Sequence, residues 1–210
     1  MVSPSPAPRR RLAAAERQGE ILDAAAALID AQGFLPLRVP QLARAAGVSN
    51  ALIYAYFPTQ AALANAVLRR ALTPLLERIG ELQPAGFEAL AVACAEAYFD
   101  AAAGHGALLH ILCTDPSLDG QRDPTLLARR DAAWRRLIRA SRSYVALAPR
   151  ERVAALAIIL SLPEETARLA RRGEIARGRA RTLCASLVLS ALRGLTALLT
   201  RETGEVSRGA

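Results

Sequence analysis

Arg38, Arg44, Arg69 and Arg70 are the only charged residues between Asp30 and Glu77. Guanidinium groups hold phosphate oxygens through a fork of N–H donors, and a polyanion repels carboxylates. A long run with cations and no acid suits a surface that docks on nucleic acid; a solvated helical hairpin with a chance gap in its acids has the same composition. A second group of reactive side chains lies farther on: Cys94, Tyr98, His105, His110, Cys113 and Trp134, scattered in an Ala/Leu-rich region. His110 and Cys113 stand one helical turn apart, with His105 as a third donor. The set lacks the paired spacing of a zinc site, so no metal is assigned. Catalysis has little to rest on: two histidines, no Ser/His/Asp or paired-carboxylate set that can be placed, and no Gly-rich phosphate loop. Glu164 and Glu165, after Pro163, read as solvated. The expectation is a chain that is not an enzyme and carries no cofactor.

The elements that would present the arginines are short. Residues 33–68 read as two small helices meeting at a tight turn, followed at once by a longer helix. Gly47 sits where the chain must reverse, because glycine takes the left-handed backbone without penalty. Ala43 is small enough for a close crossing, and Leu42, Ala46, Val48, Ile53 and Tyr56 fall on the inward face. Ser49 is placed to cap the second helix through its hydroxyl. The pattern is that of a helix-turn-helix, a common device for reading a DNA major groove.

Composition sets the frame around this motif. The 210 residues suffice for one medium domain or two small ones, and they are 52% hydrophobic but only 4% aromatic. Alanine and leucine must carry the packing, and both are strong helix formers. Almost no segment alternates with period two, so the fold class is all-α. The net charge of +8 favours a polyanionic partner. All the basic residues are arginine, which a GC-rich genome produces along with abundant alanine. Three widely spaced cysteines read as small buried hydrophobes in a reducing compartment. The N-terminus lacks the apolar core of a signal peptide. Residues 45–68 carry no charge, but Gly47, Ser49, Asn50, Pro58, Gln60 and Asn65 break any membrane span. The expected setting is cytoplasmic, without a membrane.

About nine helices are expected: 12–32, 39–45, 49–56, 59–72 with Pro74 kinking or ending it, 85–103, 105–113, 123–146, 149–171 and 179–201. This divides the chain into a disordered basic arm (1–11, with Arg9, Arg10 and Arg11), a helix-turn-helix domain (12–58), a larger helical domain (59–201) and a disordered tail (202–210). In the last helix Ser186, Ser190 and Gly194 recur every fourth residue, flanked by Leu183 and Leu187. Small residues in a row admit another helix, whether within the chain or from a second copy. Ile158 and Leu162 of the preceding region face the same way.

The ordered set Ile21-Leu22, Ala24-Ala25, Gly33-Phe34, Leu42-Ala43, Ala46-Gly47-Val48-Ser49, Ile53-Tyr54, Tyr56-Phe57 and Leu63 resembles the TetR-type transcriptional regulators. The match covers about residues 17–68; the rest has no motif that matches. The resemblance implies a homodimer, each N-terminal domain reading half of a palindromic operator in double-stranded DNA. It implies a C-terminal domain that pairs with its twin and binds a small-molecule effector that releases a repressor from DNA.

On this resemblance the outward residues of the second motif helix are Ser49, Asn50, Ala51, Leu52, Tyr54 and Ala55. Asn50 would bond a base edge or phosphate, Ala51 and Leu52 would touch thymine methyls, and Tyr54 would donate to a phosphate. Arg38 and Arg44 would lie near the backbone and position the domain. Gln60 stands where the family usually has lysine and would make a weaker contact. Arg38 stands where the family has a capping Thr or Ser, with Pro40 compensating in part. Ile158, Leu162, Leu183, Ser186, Leu187, Ser190 and Gly194 become a four-helix dimer interface. Tyr98, His110 and Trp134 become ligand contacts in a mostly apolar pocket. An activator or a regulator without a ligand remains open, as does a membrane-associated or scaffold role for the Arg-rich helices.

Overall fold

Leucine and alanine at helical spacing build ten α-helices among the described residues, with no strand. The structure, a computed structural model, describes residues 14–144 and 146–206. The expected basic arm and residues 207–210 of the expected tail lie outside them. In order the helices are α1 (Ala14–Gln32), α2 (Val39–Ala45), α3 (Asn50–Tyr56), α4 (Gln60–Glu81) and α5 (Phe87–His105). Then come α6 (Leu108–Thr114), α7 (Pro124–Ala140), α8 (Pro149–Ile159), α9 (Leu162–Arg171) and α10 (Arg177–Val206).

Two apolar clusters hold the helices. The first joins α1–α4 to α6 and the start of α7, from Ile21 through Leu42, Ile53 and Leu68 to Leu112 and Leu126. The second packs α5 against α7–α10 around Phe99, Leu156, Ala167, Cys184 and Val188. Seven-residue helices such as α2 and α3 are not stable alone, so burial of Leu42, Ala43 and Ile53 in the first cluster is what fixes them.

Several boundaries differ from the sequence expectation, among them the helix expected over 123–146, which stops at Ala140. Pro74 neither ends nor visibly breaks α4, which runs on to Glu81. The bond lost at the proline is offset by burial of Leu72, Leu75 and Leu76 on either side of it, and Arg136 donates to the carbonyls of Ile79 (2.9 Å) and Leu82 at the helix end. The helix expected over 149–171 is two: Pro163 cannot donate to Ile159 and instead sits in the first turn of α9, while Ser161 Oγ bonds the Ile158 carbonyl at 2.7 Å. The last helix continues five residues past 201 into the stretch expected as tail.

No single helix among the described residues is long and apolar enough to cross a membrane; α3 and α4 meet that test only as a pair, bent by 67°.

Candidate nucleic-acid interface and internal cavity

The turn between α2 and α3 follows from its sequence. Gly47 has φ +65°, its N–H reaches the Arg44 carbonyl at 3.3 Å, and the Val48 N–H reaches the Ala43 carbonyl at 2.9 Å. This is the Schellman closure of a helix end, followed by a helix start at Ser49, whose Oγ accepts from Leu52 N at 3.2 Å. Arg38 makes no side-chain cap at α2, and Pro40 stands in its first turn. Ile53 and Phe57 point into the first cluster. Asn50, Ala51, Tyr54 and Ala55 are exposed on the outer face, Tyr54 by 54%, while Leu52 is half-buried. Ser49, Arg38 and Arg44 are also exposed.

Gln60 is the exception in orientation. Its amide Nε2 donates inward to the Leu37 carbonyl at 2.8 Å and ties the α1–α2 loop to α4. Arg69 and Arg70 differ from Arg38 and Arg44 as well. Arg69 pairs with Asp123, and Arg70 with Asp23 at 2.6 Å and the Gly19 carbonyl at 2.9 Å. The acid-free run in sequence thus meets acids in space, and among the described residues only Arg38 and Arg44 in that run stand outside an ion pair.

Two further carboxylates, missed by sequence reasoning, fasten α6 to the N-terminal helices. Asp30 Oδ1, at the end of α1, accepts from Ala107 N at 2.8 Å, just ahead of α6. Gly106 has φ +67°, and a methyl group there would overlap the Asp30 carboxylate. At the other end of α6, Asp115 Oδ2 accepts from Leu35 N at 3.3 Å in the α1–α2 loop. The Ser117 hydroxyl holds the Asp115 carboxyl below the usual carboxylate range. Arg122 closes the C-terminal end of α6, donating to the backbone carbonyls of Leu112 at 3.0 Å and Asp115. The Asp-Pro pair at 115–116 and Gly106 were the available signals, and both mark turns rather than partners.

α6 is also a wall of a cavity of about 390 Å³ bounded by α4–α9 and open on one side to solvent. Tyr98, His110 and Trp134 all line it, together with Cys94 and Cys113 and leucines of α4 such as Leu72 and Leu75. His105 is not among its walls, and no group of three or more His, Cys, Asp or Glu among the described residues is placed to hold a metal. The Tyr98 hydroxyl donates to Glu164 Oε2 at 2.6 Å, so Glu164, read from sequence as solvated, is a partner to the wall; Glu165 pairs with Arg168. Burial, then Glu164, pushes the Tyr98 phenol up, and burial alone raises the Cys94 thiol to about 11. Burial also raises Cys113 against the opposing Arg130. At neutral pH all three are protonated, uncharged groups. Arg130 belongs to the cavity too, and Arg136 closes α4.

The seven residues expected between subunits separate by burial. Ile158 is 71% exposed, and Leu183 and Leu187 are exposed along with Ser186, Ser190 and Gly194. The opposite face of α10, with Ala180, Cys184, Val188 and Leu192, is buried in the second cluster. Leu162 is half-buried against that cluster.

Residues 21–67, the segment that builds α2 and α3 and their turn, match the model of the bacterial regulatory proteins of the tetR family. No curated protein matches the chain. Among solved structures, a tetR-family transcriptional regulator from Streptomyces coelicolor is 27% identical, covering 92% of this chain and 87% of that one with a TM-score of 0.57. A TetR-like regulator from Rhodococcus sp. RHA1 is 20% identical, covering 88% and 100% with a TM-score of 0.65. LfrR from Mycobacterium smegmatis, in complex with proflavine, is 20% identical, covering 85% and 96% with a TM-score of 0.58.

Proposed function

We propose that this chain, with a tetR-family domain at its N-terminus and the fold of TetR-type regulators throughout, is a cytoplasmic repressor that binds a palindromic operator as a homodimer and is released by a small molecule. The observation that carries the reading is the outer face of α3. It exposes Asn50, Ala51, Tyr54 and Ala55 in the tetR-family segment, which also carries Arg38 and Arg44, exposed and outside any ion pair. Asn50 reads a base edge, Ala51 and Leu52 meet thymine methyls, Tyr54 and the arginines hold phosphates, and Ser49 fixes the helix start. Gln60 contributes by holding the α1–α2 loop in place rather than by a strong contact of its own. Residues 12–58 are the reading unit and 59–201 the effector and pairing unit.

Pairing is supported by the apolar face that α8 and α10 leave open, with Ile158, Leu183 and Leu187 around Ser186, Ser190 and Gly194; Leu162 supports that face from below. The cavity lined by Tyr98, His110 and Trp134 supports an effector, as does the proflavine bound to a protein of this fold. An effector releases DNA only by binding more tightly to a conformation with the wrong spacing of the two α3 helices. The chain performs no catalysis.

The experiment is enrichment of fragmented source-genome DNA on the purified protein, followed by deletion of the gene. An enriched palindrome, lost at high salt, with rising transcription of the adjacent gene on deletion, is expected. Falling transcription makes the protein an activator, and no enrichment with or without extracts of small molecules overturns the reading.

A further inference from the structure

The charge around the cavity is one-sided. Among the described residues no Asp or Glu lines it, while Arg130 does. Of the carboxylates that meet lining side chains, Glu164 is engaged by the Tyr98 hydroxyl at 2.6 Å. Arg130 gives Nε and Nη2 to Asp131 Oδ1 at 3.0 and 2.8 Å. Its five N–H donors exceed what one carboxylate oxygen accepts.

Polarity is also segregated. His110 and Thr114 are exposed and Arg130 is partly so, whereas Leu72, Leu75, Leu109 and Leu137 are buried. The walls therefore grade from a polar rim to an apolar interior. A cation would meet Arg130 with no carboxylate in the cavity wall to compensate it. A neutral apolar molecule would leave the guanidinium with Asp131 and the Cys113 thiol as its only partners among the described residues. We propose that the effector is an amphipathic monoanion: an apolar body of about a dozen heavy atoms, at roughly 30 Å³ for each water-sized group, with one oxygen-bearing anionic group against Arg130. This rests on the reading of the cavity as the effector site.

Calorimetric titration of the full chain, without DNA, with decanoate, decanol and decyltrimethylammonium below their micellar concentrations tests it. Decanoate should bind at least about tenfold more tightly than decanol, the effect of one charge-assisted hydrogen bond, and the ammonium should not bind. Arg130→Gln should bring decanoate to the decanol level while leaving decanol unchanged. Ala133→Trp, or Ala157→Trp should the first misfold, should abolish all binding by filling the space. The proposal fails if decanol or the ammonium equals decanoate, if Arg130→Gln keeps the preference, or if folded Trp variants bind as wild type. Because DNA is absent, a chain that binds decanoate but no DNA loses only the regulator reading. One that binds DNA and prefers the ammonium loses only this inference.

Discussion

The outer face of α3 belongs to one helix of seven residues, whereas the cavity draws its walls from six helices, α4 to α9. The α3 surface works by what it leaves exposed: Asn50 and Tyr54 stand free, and Arg38 and Arg44 face solvent. The cavity works by what it removes from water, so that Tyr98, Cys94 and Cys113 are held uncharged. A surface of the first kind depends on one helix start and one turn. A cavity of the second kind depends on every helix that bounds it, and a shift of any one of them changes its shape.

The contrast between exposed and enclosed chemistry can be broken most forcefully at α8 and α10. Leu187→Glu combined with Ile158→Glu should give a folded monomer by light scattering and lower operator affinity by about 10²–10⁴-fold, the loss of a linked second half-site. A double variant that stays dimeric would show that pairing uses another face.

Stability tests the two regions at their turns. Gly106→Ala places a methyl group on the Asp30 carboxylate at positive φ and should cost about 3 kcal/mol in urea unfolding. Gly47→Ala meets no neighbour and should cost only about 1 kcal/mol, the left-handed backbone alone. Equal costs would mean that Asp30 swings aside freely.

The smallest effects are expected on the outer face itself. Asn50→Ala should change the preferred base at one operator position by about 1–2 kcal/mol. Tyr54→Phe should weaken all sequences alike by about 1 kcal/mol, read by fluorescence anisotropy on cognate and scrambled duplexes. If neither variant changes binding, α3 does not enter the groove in this orientation.

These differences also explain what could be read from the sequence. The start of α3 was legible because its causes are neighbours: Gly47 at positive φ, then a serine three residues before the N–H that it accepts. Tyr98, His110 and Trp134 were legible as types, because polar and aromatic groups are scarce in an Ala/Leu region. Their arrival in one cavity depends on how α5, α6 and α7 pack, which no spacing records. Arg69 and Arg70 were misleading for the same reason, since Asp123 and Asp23 meet them from distant positions. Pro74 did not end α4 because packing on both sides outweighed one lost hydrogen bond. Glu164 read as solvated because its partner Tyr98 lies 66 residues away.

The first apolar cluster, running from Ile21 to Leu126, has a consequence for exchanging parts between relatives. A chimera joined at 58/59 would cut through that cluster and separate Asp30 from Ala107, Leu35 from Asp115 and Leu37 from Gln60. A foreign reading head would then meet a surface shaped for a different loop. A cut after residue 126 would keep both carboxylate fasteners together but would fall inside α7 and part α5 from α9 and α10, so neither point is a clean seam. Modularity in this fold is set by the extent of a core rather than by the point at which the motif ends.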